Sequence, residues 1–230
     1  MQETDPVLAL VERSNQRGGR MLSVPDLIEA GTLSSGQAAW ILGRIRAGSS
    51  WLVGASPGGA GKTTVMIALL ALLPPPPAIR LAEPGRGWER SRPGECVVAY
   101  EISPGAFDAY IWGAEVRCLA ALAARGVRVV TNLHADTLAE AEAQIVAENG
   151  AAPGHFPAFG LFLPIAITGT GRTRHRAILN IYAAENGAWT VVSRTAAEAA
   201  APPAITAFLE TCRTSGLRTV AAVRQAWLAQ

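Results

Sequence analysis

A mixed α/β fold on a mainly parallel sheet is what the 230 residues predict, and three observations carry that prediction. Short apolar runs of β-forming residues recur at 51, 78, 96 and 127. Helical periodicity fills several of the gaps between them, notably 107–124 and 137–148, which is the alternation a parallel sheet requires. The first run, WLVGA, leads through a glycine-rich turn directly into an apolar helix. The length suits one domain with appendages and allows a substantial core.

Taken in order, residues 1–22 read as a short helix and a Gly/Arg linker, QRGGR, forming an N-terminal arm. Two helices follow. SVPDLIEAG runs from Ser23 to Gly31, and SSGQAAWILGRIRAG carries a Ser34/Gln37 capping box and stops at Gly48. After the strand WLVGA, an apolar helix from about Lys62 to Leu73 is ended by PPPP, because proline cannot continue a helix. Further strands are expected in AIRLAE (78–83), CVVAYEI (96–102), VRVVTNL (127–133), LFLPIAIT (161–168), AILNIYA (177–183) and WTVVS (189–193). Only turns separate the last of these, which predicts an antiparallel extension of the sheet. AAEAAAPP (196–203) reads as a hinge before two C-terminal helices, ITAFLETC and LRTVAAVRQAWLAQ. The expected organisation is an arm at 1–22, the main domain at 23–195, and a linker with C-terminal helices at 196–230.

Half of the residues are apolar, as in a globular chain, and the net charge of +2 is spread without a basic run, so a nucleic-acid partner is unsupported. Cys96, Cys118 and Cys212 are odd in number and far apart, which fits buried thiols in a reducing compartment. The acidic amino terminus does not look like a secretory signal. The longest apolar run, 65–73, is far short of the roughly 20 residues that span a bilayer. A cytoplasmic protein is expected, able to dock on a membrane complex.

Lys62 is the one lysine among 20 basic residues. It sits in SPGGAGKT (56–63), which follows the pattern GxxxxGK[ST] except that Ser56 stands in the first glycine's place. Arginine is a poor replacement there, because its planar fork is bulky, whereas an ammonium is a compact charge that fits inside a ring of amides. The segment Ser56, Pro57, Gly58, Gly59, Ala60, Gly61, Lys62, Thr63 and Thr64 is therefore the expected phosphate loop. Gly58, Gly59 and Gly61 let amides turn inward, Lys62 reaches the β and γ phosphates, and Thr63 ligates magnesium. ATP and Mg2+ are the expected ligands. Gly54 is read as giving the strand freedom at its exit.

Beyond the loop, the chain resembles the ATPases of type II and type IV secretion systems and type IV pili. The order of two helices, strand and loop in LIEAGTLSSGQAAWILGRIRAGSSWLVGASPGGAGKTT is similar to theirs. LAEPG resembles the family's aspartate box, with Glu83 in the acidic slot before Pro84, and TNLHADTLAEA resembles its histidine box, carrying His134. PIAITGTGRTRHRAILNIY is similar to the strand, arginine turn and strand that close the domain. The resemblance covers about residues 25–193. It implies a P-loop NTPase (RecA-like) core, a ring of identical subunits, and a membrane-embedded secretion or pilus platform as partner at the inner membrane. The chain departs from the pattern in three ways. The 22 leading residues are too few for the family's amino-terminal domain, AARGV replaces the Thr-Gly-His element before the histidine box, and the span from Lys62 to His134 is shorter than usual.

A hydrolytic site needs an acid at the end of a strand beside the loop. Glu101 closes the run CVVAYE, and Glu115 lies in GAEVR, a string similar to the family's Gly-Glu-x-Arg. Glu101 is favoured, since the strands then alternate with helices, while Trp112, Val116, Leu119 and Ala123 repeat at helical spacing. Glu83 either faces the ligand crevice or caps a turn. His134 ends a polar stretch with Thr131, Asn132 and Asp136 and reads as a sensor of the γ phosphate, with Thr137 and Glu140 as a capping box. Arg172, Arg174 and Arg176 read first as a solvated hairpin turn and second as phosphate or subunit-interface arginines. The expected function is an ATP-binding and ATP-hydrolysing motor core. Its rivals are a nucleotide-dependent regulator with weak hydrolysis and a DNA-processing P-loop protein.

Overall fold

The computed structural model describes residues 5–15, 18–56, 58–170 and 174–230. Helices α1 (Pro6–Arg13), α2 (Val24–Glu29) and α3 (Ser35–Arg46) lead to β1 (Trp51–Gly54), and α4 (Lys62–Leu70) follows the glycine loop. Next come β2 (Ile79–Leu81), β3 (Cys96–Val98), β4 (Glu101–Ile102), β5 (Tyr110–Ile111), α5 (Ala114–Ala124), β6 (Arg128–Leu133) and α6 (Leu138–Glu142). The chain continues with β7 (Leu161–Pro164), β8 (Ala166–Thr168), β9 (His175–Ala177), β10 (Asn180–Glu185) and β11 (Ala188–Ser193), then α7 (Arg194–Ala199), α8 (Pro203–Thr214) and α9 (Val220–Leu228).

The main sheet has the order β11-β10-β7-β1-β6-β3-β2. Strands β7, β1, β6, β3 and β2 run parallel, with β1 between β6 and β7. β10 and β11 extend the sheet antiparallel beside β7, as the closely spaced final strands predicted. β8 and β9 form a separate antiparallel ribbon. One face of the sheet is covered by α1–α4, α8 and α9, with Val11, Leu27, Ile41, Met66, Leu209 and Trp227 in its core. The other carries α5 and the helical turns after α6, around Val116, Leu119, Ile145 and Phe156. No helix among the described residues is long and apolar enough to cross a membrane.

Local signals hold where partners lie within one turn. Ser34 and Gln37 form the capping box of α3, and Thr137 and Glu140 that of α6. Elsewhere tertiary pairing overrides local pattern. The helix expected over 107–124 begins only at Ala114, because Tyr110 and Ile111 pair with Glu101 and Ile102 as β5. The helix expected over 137–148 leaves α geometry at Ala143 for a π-helical turn to Glu148. The supposed hinge at 196–203 instead holds most of α7, and Pro202 and Pro203 lead into α8.

The segment 96–102 contains the feature that builds the site. Val98 pairs with Val130 and Ile102 with Leu133, so four steps on one strand match three on its neighbour. One extra residue is a β-bulge, which re-aims the side chains beyond it. Cys96, Val98 and Tyr100 join the core on the α4 side, and Val97, Ala99 and Ile102 the opposite core. An unbroken strand would send Glu101 to the face of Val97 and Ala99. The bulge turns it toward α4 instead.

Gly54 is needed for space and not for backbone freedom, since it is absent from the glycines with positive φ. A Cβ placed there would lie 2.3 Å from the Ala135 carbonyl oxygen and 2.4 Å from the Phe162 ring. Gly54→Ala is therefore expected to destabilise the fold by about 1–3 kcal/mol, the cost typical of overpacking. A urea unfolding midpoint equal to that of the parent chain would contradict the close packing of β1 under Ala135.

Candidate functional site

The loop between β1 and α4 is fastened at its start. The amide of Ala55 donates to the Leu133 carbonyl at 3.3 Å, and the amide of Ser56 donates to Asp136 Oδ1 at 2.9 Å. Asp136 thus ties the exit of β6 to the loop in addition to preceding α6. Pro57 lies outside the described residues. Gly59 and Gly61 have φ of 73° and 98°, a left-handed backbone that glycine adopts without a Cβ clash. Nothing lies within 4 Å of the space a Cβ would take at Gly58 or Gly59. The turn opens at the N-terminus of α4, where the helix dipole favours negative charge.

Lys62 opens α4 and is 8 % exposed. Its Nζ donates to the Ala55 carbonyl at 3.0 Å, lies 2.8 Å from Glu101 Oε1 and 3.4 Å from His134 Nδ1. His134 Nε2 is 3.0 Å from the same Glu101 oxygen. His134 Nδ1 also lies 3.3 Å from the Ser56 carbonyl oxygen. One Glu101 oxygen, shielded from solvent, thus lies within ion-pair distance of the ammonium and beside the imidazole, with no hydrogen bond to it among the described residues.

Thr63 follows in the first turn and is exposed. Its Oγ1 is 3.4 Å from Asn132 Nδ2, which also donates to the Tyr100 carbonyl at 2.8 Å. That carbonyl belongs to the bulged segment, so Asn132 both seals the bulge and touches the threonine. Asn132 was read from the sequence only as part of a polar strand ending, with His134 singled out. The missed signal is period two: positions 130, 132 and 134 share one face of β6, the face of α4. Asn132 is 1 % exposed, and its Oδ1 has no hydrogen-bond partner among the described residues.

Two of the predicted acids are not part of this cluster. Glu83 leaves β2 at the sheet edge, with β3 and β6 between it and β1. It pairs with Arg13 of α1 and lies 3.5 Å from Arg86, so it anchors the N-terminal arm. Glu115 lies in the first turn of α5, and its Oε2 accepts from the Trp112 amide at 3.4 Å. Neither lines the cleft over the loop. That cleft encloses about 670 Å³ and runs from the glycines, Lys62, Thr63 and Thr64 to an apolar wall of Met21, Leu22, Leu27 and Ile67. Arg174, His175 and Arg176 of the β8–β9 ribbon line it as well.

No protein-family profile matches the chain, and no curated protein matches it in sequence. Among solved structures it is similar to the VirB11 ATPase of the Brucella suis type IV secretion system in complex with sulphate. The identity is 17 %, over 75 % of this chain and 55 % of that one, with a TM-score of 0.46. It is also similar to the Legionella pneumophila ATPase DotB, at 12 % identity over 81 % of this chain and 54 % of that one, with a TM-score of 0.39. The chain spans about half the length of each. At such scores the role of the cleft rests on the chain's own residues.

Proposed function

We propose that the cleft binds ATP with magnesium and that the chain hydrolyses the terminal phosphoanhydride. The observation that carries this reading is the bulge that brings Glu101 to Lys62, placing an acid and a phosphate-binding cation 2.8 Å apart at the mouth of a glycine loop. The left-handed glycines before α4 suit the triphosphate, and the apolar wall of Met21, Leu22, Leu27 and Ile67 suits the base. Magnesium fits the residues present. Thr63 Oγ1 is exposed beside Asn132, whose orphaned Oδ1 can accept from a water of the hydrated ion. Thr63 would hold the ion, which would supply positive charge against the negative charge that develops on the phosphates.

Each side chain then has a task. Lys62 turns from Glu101 to the phosphates and trades one anion for another. Glu101, released from the ammonium, orients the attacking water and accepts its proton. His134 stays on the Glu101 oxygen and holds the carboxylate in place. Glu101→Gln keeps shape and hydrogen bonding but cannot accept that proton. Turnover is expected to fall about 10²-fold or more, the usual scale for a lost general base, while ATP binding persists. Single-turnover hydrolysis and nucleotide titration on the same protein check this. Normal turnover in Glu101→Gln, with loss in Glu115→Gln, would transfer the role to Glu115.

One observation favours a second reading. With the Lys62 and His134 nitrogens 2.8 and 3.0 Å from the same Glu101 oxygen, the carboxylate is crowded on that side, which suits a regulator that holds ATP and cleaves it slowly. A parent chain no faster than Glu101→Gln would establish that reading. We further propose, from the sequence resemblance, that the energy moves one subunit against another in a ring docked on a membrane platform.

A further inference from the structure

We propose that Arg176 is a second cation of the ATP site, supplied by the same chain, whose guanidinium contacts the terminal phosphate and stabilises the charge that develops during hydrolysis. This deepens the ATP reading and rests on it.

Four observations lead to it. First, the ribbon that carries Arg176 is seated at its base. Ile178 donates its amide to the Thr32 carbonyl at 2.9 Å, and the buried amide of Gln37 donates to the Ile178 carbonyl at 2.8 Å. Second, the Arg176 stem crosses the loop: its Cδ would stand 3.5 Å from a Cβ at Gly61. Third, its Nη2 donates to the Gly59 carbonyl at 3.3 Å, so the guanidinium rests on the residues whose backbone forms the phosphate cradle. Fourth, no carboxylate among the described residues pairs with it. Its positive charge is therefore not taken up by an ion pair there.

An exposed guanidinium held over an anion cradle by one long bond to a neutral carbonyl has its strongest partner still to come. Charge-assisted bonds to phosphate are shorter and about twice as strong as neutral ones. Lys62 enters the site from the helix below, and Arg176 lies across the outer side of the loop, so the two would bracket the terminal phosphoryl group. The planar fork also explains why arginine serves here when the buried position requires lysine: on the open side there is room for two parallel N–H donors.

The test compares the parent chain, Arg176→Ala, Arg176→Lys and Lys62→Ala by titration with ATPγS and with ADP and by single-turnover hydrolysis of ATP. The exposed position of Arg176 leaves the fold intact, which equal thermal midpoints confirm. Arg176→Ala is expected to bind ADP within about twofold of the parent, bind ATPγS clearly more weakly, and hydrolyse bound ATP at least about 10³-fold more slowly, the lower end of the range seen for arginines on transferring phosphoryl groups. Arg176→Lys should recover only part of the rate. An unchanged ratio of ATPγS to ADP affinity together with a near-parental rate would overturn the proposal. Equal loss of ADP and ATPγS affinity would also overturn it, as the residue would then be shaping the loop. A parent chain that binds neither nucleotide, with Lys62→Ala no different, would instead overturn the ATP reading itself. If the parent binds ATPγS but hydrolyses slowly, the affinity ratio alone decides for or against Arg176.

Discussion

Lys62→Ala is expected to lose ATP while remaining folded. The ammonium is the buried cation of the loop, and truncating one partner of a buried charge pair costs about 2–5 kcal/mol. That range corresponds to an affinity loss of about 30-fold to about 5,000-fold. The fold should survive, because the core around α4 rests on Val65, Met66, Leu69 and Leu70, and Glu101 keeps His134 as a partner. Lys62→Arg should fail nearly as badly. The site gives Nζ the Ala55 carbonyl, Glu101 and His134 within a small radius, and a planar fork cannot take that place. Nucleotide titration beside a circular dichroism melt separates binding from folding. Parental affinity in a folded Lys62→Ala variant would remove the loop from the site.

Arg224→Ala is expected to produce the largest loss of stability. Arg224 is 1 % exposed. Its Nη1 donates to the carbonyls of Ala71 and Leu73 at 2.7 and 2.9 Å, just past the C-terminal end of α4, and its Nη2 and Nε donate to the Asp5 carboxylate. One guanidinium thus joins the C-terminal helix, the far end of the loop helix and the N-cap of α1. Breaking a buried pair by removing one partner costs about 3–5 kcal/mol. Asp5 keeps some solvent access, which places the expected loss at the lower end. Burial alone would raise the Asp5 carboxyl, but the Arg224 hydrogen bond and charge and the amides of Leu8 and Val7 hold it below the ordinary carboxylate range. A depressed folded value means that this stabilisation is present above the carboxylate range and is lost as pH falls through the folded value. The urea midpoints of the parent and Arg224→Ala should therefore draw closer at acid pH, where the Asp5 contribution is lost while the bonds to the Ala71 and Leu73 carbonyls remain. Equal midpoints at neutral pH would show that the buried network is dispensable.

What the sequence determined by itself is what neighbours in the chain can enforce. The glycine turn into α4 was legible because Gly59 and Gly61 take left-handed backbone and Lys62 opens the helix, all within a few residues. The capping boxes at Ser34 and Thr137 were legible for the same reason, as each closes a bond across three positions. Alternating strand and helix patterns were enough for the mainly parallel sheet, since each strand is apolar on both faces wherever helices cover it. The tertiary structure alone decided which acid meets the lysine. Glu101 was chosen as the end of a clean strand, yet a clean strand would have turned it to the wrong face. Only pairing with β6 reveals the extra residue that turns it back, and pairing across strands leaves no mark in local periodicity. Glu83, equally plausible as a strand-ending acid, went to Arg13 because the strand order put β2 at the edge. His134 reaches Lys62 over 72 residues and Arg224 reaches Asp5 over 219. Contacts at that range depend on how the whole chain packs, and packing is decided jointly by many residues whose individual types are compatible with several partners.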